Sequence, residues 1–273
     1  MRARATLLVK KQPQKSAEAQ VALVTGAARG IGAAVAMRLA REGWTVAIND
    51  VDRKGAAAVQ KKIVADGGRA IVAVADVSRE DLVRRMIARV TAVTGRLDAV
   101  INNAGIDRLA PIGETSGRQW KQLLGVDLGG AFFCAKHAEP YLARFESSSI
   151  VNIASIHAIA TLPSRAAYAS AKAGLIGLTK ALCVELGPRG IRVNAILPGY
   201  IRTEIWREWL DRVDNPERVL ADIAQQHPLR RIGRPEDVAA LVSFLVSDNA
   251  RFLSGSAVVL DGGLTATFVP PPI

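Results

Sequence analysis

Three side chains in the middle of the chain have the types and the spacing for proton transfer to and from an alcohol. Tyr168 and Lys172 are four residues apart in the sequence YASAK, and Ser155 precedes Tyr168 by thirteen residues. Positions four apart share one face of a helix, so the Lys172 ammonium is expected beside the Tyr168 phenol. A phenol titrates near about 10, and a neighbouring cation stabilises its phenolate. Tyr168 is therefore a candidate acid and base, and Ser155 a candidate partner for the substrate oxygen.

A glycine-rich turn between the first predicted strand and a helix is the second chemical signal. The sequence VALVTGAARGIGAAVA contains Gly26, Gly30 and Gly32. Gly26 can take the turn off the strand, Gly30 leaves no Cβ against a diphosphate, and Gly32 lets the helix pack close to the sheet. Free N–H groups at such a helix start bind phosphate. An ordinary strand-to-helix turn can carry the same glycines, so this motif gains its meaning from the others.

The choice of dinucleotide depends on two opposed charges. Asp50 ends the second predicted strand, 24 residues after Gly26, where a dinucleotide-binding unit places the residue that meets the adenosine ribose. A carboxylate there binds ribose hydroxyls and repels a 2′-phosphate, which favours NAD. Arg29 in the glycine turn favours NADP, because a guanidinium can pair with that phosphate. Arg29 can turn to solvent whereas Asp50 cannot avoid the repulsion, so we predict NAD and leave NADP open.

The remaining elements predict an α/β fold with a single doubly wound Rossmann domain and a seven-stranded parallel sheet. Short apolar runs alternate with amphipathic helical stretches, which is typical of parallel strands joined by helical crossovers. The predicted strands are 20–26, 44–50, 70–76, 97–103, 149–155, 191–197 and 256–262. The predicted helices are 30–42, 52–66, 78–94, 119–144, 165–187 and 235–247. A stretch interrupted at Pro216 and Pro228 predicts a substrate lid over about 200–232.

Charge and composition limit the other classes of protein. The formal net charge of +11 comes largely from residues 1–18, predicted to be a disordered basic extension, and from arginines between 202 and 234. Neither region has a recognition motif for nucleic acid, so no specific nucleic-acid binding is expected. Apolar runs are too short for a membrane span or a secretory signal, which favours the cytoplasm, and the Arg-rich, acid-free start leaves an organellar transit peptide as the alternative. The domain is predicted over 19–264 and is followed by a tail over 265–273. The two cysteines, Cys134 and Cys183, are predicted to be buried free thiols rather than a disulfide or a metal site.

Taken together, the chain resembles the short-chain dehydrogenase/reductase family over about residues 18–264. The matching motifs are TGAARGIG, DVS at 76–78, NNAG at 102–105, Ser155, YASAK, PG at 198–199 and LDGG at 260–263. The resemblance implies metal-free hydride transfer between NAD(P) and a secondary alcohol or its ketone. Polyol and sugar dehydrogenases are the most similar in appearance, and an NADPH-dependent 3-oxoacyl-carrier-protein reductase is the alternative. A nicotinamide-binding sensor without turnover is the alternative from another class.

The resemblance also implies individual roles for the cofactor. Asp76 and Val77 would hold the adenine, Asn102 would support the central strand, Thr203 would bind the nicotinamide carboxamide, and Lys172 would hold the nicotinamide ribose. The full predicted cofactor set is Gly26, Arg29, Gly30, Ile31, Gly32, Asp50, Asp76, Val77, Asn103, Ala104, Gly105, Tyr168, Lys172, Pro198, Gly199, Ile201 and Thr203.

One position departs from the family pattern. The family usually reads VNLxGxF before the fifth strand, whereas this chain reads VDLGGAF and places Asp127 where the family has an Asn. The family's Asn is thought to act largely through its main-chain carbonyl in a proton relay. We therefore count Asp127 among the catalytic candidates and expect an extra negative charge near Lys172.

The predicted substrate contacts are Ser155, Tyr168, His157 and Trp206. His157 follows Ser155 by two residues, and Trp206 lies with Trp209 in the lid, where packing on the body of the protein is an equal alternative. Asp107, just after NNAGI, is a weaker candidate for the pocket. The lid arginines, Arg202 and Arg207 among them, could meet an anionic substrate. Small residues on the helix of Lys172 permit close helix packing, and the resemblance implies a homotetramer.

Overall fold

The computed structural model describes residues 19–267, except 205, 207–209, 211 and 212. The predicted extension over 1–18, the end of the tail over 268–273, and the lid residues Arg207 and Trp209 lie outside the described residues.

The described residues form a seven-stranded parallel sheet, as predicted. Its strands are β1 (Val21–Thr25), β2 (Thr45–Asn49), β3 (Arg69–Val72), β4 (Ala99–Asn102), β5 (Ser148–Ile153), β6 (Ile191–Pro198) and β7 (Ala257–Leu260). The strand order is β3-β2-β1-β4-β5-β6-β7, and every neighbouring pair is parallel. The order reverses between β1 and β4, and a doubly wound sheet binds its ligand in the crevice at such a reversal.

Helices cover both faces of the sheet. They are α1 (Gly30–Arg41), α2 (Arg53–Ala65), α3 (Glu80–Thr94), α4 (Gly117–Leu124), α5 (Gly130–Leu142), α6 (Ala166–Leu186), α7 (Pro216–Gln226) and α8 (Pro235–Val246). One apolar core joins α1, α2 and α8 to the sheet, and a second joins α3, α5 and the end of α6 to its other face. The strands are apolar on both faces because both are covered, which is the pattern of a buried parallel sheet.

The helix predicted over 119–144 is present but contains a π-helical segment that the prediction lacked. The chain forms α4, then a π-helical segment over Gly125–Gly129, then α5. Glycine has weak helix propensity, and a Cβ on Gly130 would lie 2.7 Å from Cγ2 of Val77, so this glycine-rich run permits a close approach to the loop after β3. The wide turn buries Asp127 in the interior of the protein.

The third strand is shorter than the strand that was predicted from the apolar run over 70–76. It ends at Val72, and the side-chain amide of Asn49 then donates hydrogen bonds to the carbonyls of Ala73 and Ala75 at 2.8 and 3.1 Å. Since β2 ends at Asn49, its side chain provides the partners that a longer neighbouring strand would have provided.

The two ends of the lid predicted over about 200–232 are joined to each other. Ile201 and Gly233 form a parallel bridge, and the amide of Arg202 donates to the carbonyl of Gly233 at 2.9 Å. The helical piece expected between two prolines is α7, which begins at Pro216 after a cap in which the side chain of Asn215 accepts from the amide of Arg218.

The sequence predicted no membrane span and no metal site. In the described part of the chain, no helix is long and apolar enough to cross a membrane, and no group of three or more His, Cys, Asp or Glu side chains could hold a metal ion. Both cysteines are free thiols; Cys134 is buried, and burial raises its pKa to about 12. The prediction that Cys183 is also buried is wrong, because it is partly exposed and contacts the hydroxyl of Ser254.

Candidate active site

The predicted catalytic side chains meet beyond the carboxyl end of β5. Ser155 follows this strand by two residues, and Tyr168 and Lys172 lie on the first two turns of α6. The Nζ atom of Lys172 is 5.4 Å from the centre of the Tyr168 ring, as their spacing on one helix face predicts. The ring of His157 meets the Tyr168 ring edge to face at 5.8 Å between centres.

Lys172 is a buried cation with two polar partners besides Tyr168. Its side chain is 5% exposed, and its ammonium donates to the carbonyl of Ile153 at 3.1 Å and lies 3.3 Å from Oδ2 of Asp127. Burial alone lowers the pKa of this ammonium, but the negative charge of Asp127, followed by that of the Tyr168 phenolate, raises the pKa above its ordinary value. Lys172 is therefore a positive charge at neutral pH, fixed beside the phenol.

Asp127 completes this buried pair. Its Oδ1 accepts a hydrogen bond from the amide of Ile106 at 2.8 Å, and burial raises the pKa of its carboxyl while Lys172 opposes that rise. A Cβ on Gly105 would lie 2.9 Å from Oδ2 of Asp127 and 3.4 Å from Nζ of Lys172. The glycine of NNAG thus leaves the space in which the pair forms.

Ser155 is placed to donate a hydrogen bond from its hydroxyl. The residue is 7% exposed, and its Oγ accepts from the amide of His157 at 3.2 Å, which caps a short 3₁₀ turn over Ile156–Ala158. Because the oxygen accepts there, the hydroxyl proton is left to be donated elsewhere. A substrate oxygen beside Tyr168 would be a suitable acceptor.

The glycine turn has the geometry of a diphosphate site. Gly26 and Gly30 have φ of +61° and +57°, which side chains rarely adopt, and a Cβ on Gly32 would lie 2.3 Å from the carbonyl oxygen of Gly26. Arg29 precedes α1, no side chain caps this helix start, and its first turn, which includes Ile31, has no acidic residue. The N–H groups and the dipole at this end of α1 fit a bound anion.

Thr25 joins this turn to the NNAG segment, a contact that the sequence analysis did not foresee. Its hydroxyl lies 3.0 Å from the amides of both Asn103 and Ala104, and the Asn103 side chain donates to the carbonyls of Thr25 and Gly26 at 2.9 Å each. The signal in the sequence was the threonine at the end of β1. Asn102 lies deeper and donates to the side chain of Asn152 at 2.8 Å.

Two carboxylates border the expected adenosine end. Oδ2 of Asp50 accepts from the amide of Ala28 in the glycine turn at 3.0 Å, which fixes the carboxylate beside that turn. Oδ1 of Asp76 accepts from both the amide and the hydroxyl of Ser78, and the next residue, Val77, is buried. These positions fit a ribose and an adenine.

The nicotinamide end is bordered by the segment after β6. The amide of Gly199, next to Pro198, donates to the carbonyl of Leu260 at 3.0 Å, and Ile201 is buried. Thr203 lies beside the glycine turn, because a Cβ on Gly30 would be 3.4 Å from its Cγ2 atom. The segment therefore reaches from the sheet back to the helix start that faces the diphosphate.

Trp206 packs on Tyr200, which belongs to the same segment that was predicted as the lid. Its ring meets that of Tyr200 edge to face at 5.4 Å between centres, and Tyr200 in turn meets His227 at 5.8 Å. His227 is 1% exposed, and its Nδ1 lies 2.8 Å from the carbonyl of Ile223. A contact of Trp206 with substrate stays a prediction.

Arg165 is the residue near Tyr168 that the sequence analysis missed. Its guanidinium carbon lies 5.8 Å from the centre of the Tyr168 ring, and it forms an ion pair with Asp107. The available signals were its position three residues before Tyr168 and the unexplained carboxylate after NNAGI.

Comparisons with known proteins agree with this arrangement. The family model described as enoyl-(acyl carrier protein) reductase matches residues 26–265. The 3-oxoacyl-acyl-carrier-protein reductase FabG of Staphylococcus aureus is 38% identical over 244 residues, which are 89% of this chain and 97% of that protein. The cis-4-hydroxycyclohexanecarboxylate dehydrogenase of Sinomonas cyclohexanicum is 40% identical over 248 residues, 90% of this chain and 97% of that protein. The crystal structure of levodione reductase matches with a TM-score of 0.86 at 33% identity, covering 91% of this chain and 98% of that one.

The fold, the order of the motifs and these relatives confirm the predicted family. The chain belongs to the short-chain dehydrogenase/reductase family, and it is an oxidoreductase that transfers a hydride between a nicotinamide cofactor and a secondary alcohol or its ketone.

Proposed function

We propose that this enzyme oxidises a secondary alcohol with NAD, or reduces the ketone with NADH, with Tyr168 as the acid and base. The observation that carries the proposal is the buried Lys172 ammonium, 5.4 Å from the centre of the Tyr168 ring. A fixed cation at this place stabilises the phenolate that must accept the alcohol proton.

Each of the three side chains has a distinct task in this proposal. Ser155 donates to the substrate oxygen and stabilises the charge that develops there. Tyr168 takes the hydroxyl proton during oxidation and returns it during reduction. Lys172 holds the cofactor ribose and the charge of the phenolate. The nicotinamide supplies the hydride acceptor or donor.

The preference for NAD rests on Asp50. Its carboxylate is fixed beside the glycine turn by the amide of Ala28, so a 2′-phosphate at this ribose would meet a negative charge. Arg29 is exposed at the start of α1 and could pair with that phosphate. The alternative of an NADPH-dependent 3-oxoacyl-carrier-protein reductase is supported by the similarity to FabG.

We also propose a homotetramer, in agreement with the expectation from the family. An apolar face formed by α4, the π-helical segment, α5 and α6 carries Leu124, Leu128, Phe132, Gly174, Gly177 and Leu178. Phe132 is 45% exposed on this face, and the glycines of α6 allow another helix to approach closely. A second copy of the chain is the occupant that fits, and light scattering with the mass of a tetramer is the expected result.

The experiment that tests the proposed function is a screen for NADH formation. Polyols, sugars, hydroxy acids and hydroxysteroids are each supplied with NAD and with NADP, and absorbance at the reduced nicotinamide band is followed. We expect turnover with at least one class, and NAD as the better cofactor. Tight NADH binding with no turnover of any alcohol or ketone would favour the sensor instead. A clear preference for NADP would favour the reductase alternative.

A further inference from the structure

Arg165 lies beside Tyr168 and is more enclosed than a surface arginine. It is the residue immediately before α6, its side chain is 17% exposed, and its guanidinium carbon is 5.8 Å from the centre of the Tyr168 ring. An arginine in such a place has lost much of its water and is expected to have an anionic partner.

Asp107 provides only part of that partner. Its Oδ2 pairs with Nη1 of Arg165, while the Nε atom of Arg165 is buried and has no hydrogen-bond partner among the described residues. The described hydrogen bonds of this guanidinium use Nη1 alone, which leaves the edge formed by Nε and Nη2. Because Nε is buried, a substrate carboxylate would reach this edge through Nη2, whose N–H groups are not among the buried unpaired atoms of the described residues.

His157 offers a second donor next to the same ring. Its Nδ1 lies 3.0 Å from the hydroxyl of Thr161, and the described residues give its Nε2 no partner. Burial, together with the nearby Arg165, lowers the pKa of His157, so the ring is neutral at neutral pH and can donate from one nitrogen. Its ring centre is 5.8 Å from that of Tyr168, so His157 and Arg165 both lie beside the ring whose hydroxyl the substrate must approach.

We propose that Arg165, held by Asp107 and assisted by His157, binds a carboxylate of the substrate, so that the enzyme acts on small hydroxy acids and the matching oxo acids. The inference rests on the proposed function and names its substrate class. Asp107 fixes the guanidinium and also reduces its net charge. Selectivity therefore comes from directed hydrogen bonds to the free edge rather than from the long-range field of the lid arginines.

The test compares acids with their uncharged amides. The substrates are 2-hydroxybutyrate, 3-hydroxybutyrate and 4-hydroxypentanoate, which place the carboxylate at increasing distance from the carbinol, and the carboxamide of each. The variants are Arg165→Gln and Arg165→Lys. Arg108→Gln removes the same charge from an exposed neighbour of Asp107 and serves as the matched control. Thermal unfolding and NADH titration establish that each variant folds and binds cofactor.

For the wild type we expect at least one acid to exceed its amide in kcat/KM. Arg165→Gln should lower kcat/KM for that acid by roughly tenfold to a hundredfold, mainly through KM, because charge-assisted hydrogen bonds contribute about 1.5–3 kcal/mol. Turnover of the amides should stay within a few-fold. Arg165→Lys should recover part of the acid activity, and Arg108→Gln should change neither class selectively.

Three results would overturn the inference, and they separate it from the proposed function. Equal losses on acids and amides would assign Arg165 to the packing of the α6 start. Amide and neutral-alcohol turnover without preference for any acid would exclude the carboxylate site while leaving the proposed function standing. No turnover of any alcohol by the wild type would reject both. If Arg165→Gln fails to fold, the ratio of kcat/KM for the acids to kcat/KM for the amides is measured in Arg165→Lys, and an unchanged ratio overturns the inference.

Discussion

The carboxylate of Asp127 lies 3.3 Å from the ammonium of Lys172, and the two side chains are 0% and 5% exposed. The pair is formed between the π-helical segment and α6, at a position where most of the family has an uncharged Asn. It places a negative charge on the far side of the cation that serves Tyr168.

Replacing Asp127 by Asn should move the acid limb of the pH profile for alcohol oxidation to lower pH. Asp127 raises the pKa of Lys172 and opposes the effect of its charge on the Tyr168 phenolate, so its removal favours the phenolate. Maximal turnover should stay within about tenfold, because the asparagine oxygen still accepts from Ile106. The measurement is kcat/KM for NAD-dependent oxidation from acid to alkaline pH.

Asp66→Asn is the control, since it removes an equal charge from an exposed pair with Arg41. This control should leave the acid limb where it is. An unshifted or upward-shifted limb in Asp127→Asn would show that Asp127 carries no charge coupled to the proton transfer. A collapse of turnover would show that its carboxylate does chemistry of its own.

Breaking the same pair from the other side should cost stability. Lys172→Met leaves the Asp127 carboxylate buried without its cation, and a broken buried pair costs about 3–5 kcal/mol. The double variant with Asp127→Asn should recover a large part of that free energy of unfolding. Urea denaturation of both variants checks this, and equal stability of the single and double variants would contradict it.

The destabilisation of Lys172→Met should also depend on pH. Burial raises the pKa of Asp127 in the folded state, so the folded protein binds the proton more tightly than the unfolded chain does. The contribution of Asp127 to stability is therefore most favourable at low pH and falls as the pH rises above the ordinary value of 3.8 for this group. A free energy of unfolding for this variant that does not fall relative to wild type over this range would show that Asp127 is not buried as described.

Much of the fold could be predicted because its pattern is local. The apolar strands, the glycine turn before α1 and the Tyr-Lys spacing each depend on a few neighbouring residues, and all seven strands were found. The helix over 119–144 was found but its π-helical segment was not, and Gly130 at the end of that segment packs against Val77, which is distant in sequence. Periodicity within a helix does not report such a contact.

The candidate site shows the same division. The positions of Ser155, Tyr168 and Lys172 follow from motif spacing. The ion pair of Arg165 with Asp107 joins two loops separated by 58 residues, and nothing in the sequence indicates which arginine meets which carboxylate. Side-chain pairing across the mouth of the site therefore needed the three-dimensional structure.

Asp50→Asn should weaken the preference for NAD. Ala28 and Asp52 donate to different oxygens of Asp50, so the single asparagine oxygen can accept from one of these two amides; the variant removes the charge and keeps one of the two hydrogen bonds. The ratio of kcat/KM for NADP to that for NAD should rise by about tenfold or more, since like-charge repulsion near the protein surface is worth at least about 1.4 kcal/mol. A wild type that already prefers NADP would show that Arg29, and not Asp50, determines the choice of dinucleotide.

Gly32→Ala should impair both cofactor binding and stability. The new methyl group would lie 2.3 Å from the carbonyl oxygen of Gly26, a backbone atom that cannot move without opening the turn. We expect a loss of about 1–3 kcal/mol in stability and a clear rise in the Kd for NADH by fluorescence titration. Gly113→Ala is the control, because a Cβ there meets nothing within 4 Å. Equal behaviour of the two variants would contradict the close packing of this turn.

The most direct test of the account is the turnover of Tyr168→Phe with whichever alcohol the NADH-formation screen identifies. The substitution removes the phenol oxygen and keeps the ring that packs against His157 and Lys172. If Tyr168 transfers the proton, kcat should fall by at least about 10²-fold while the Kd for NADH stays nearly unchanged. Turnover near that of the wild type would remove Tyr168 from the chemistry and contradict the proposed mechanism.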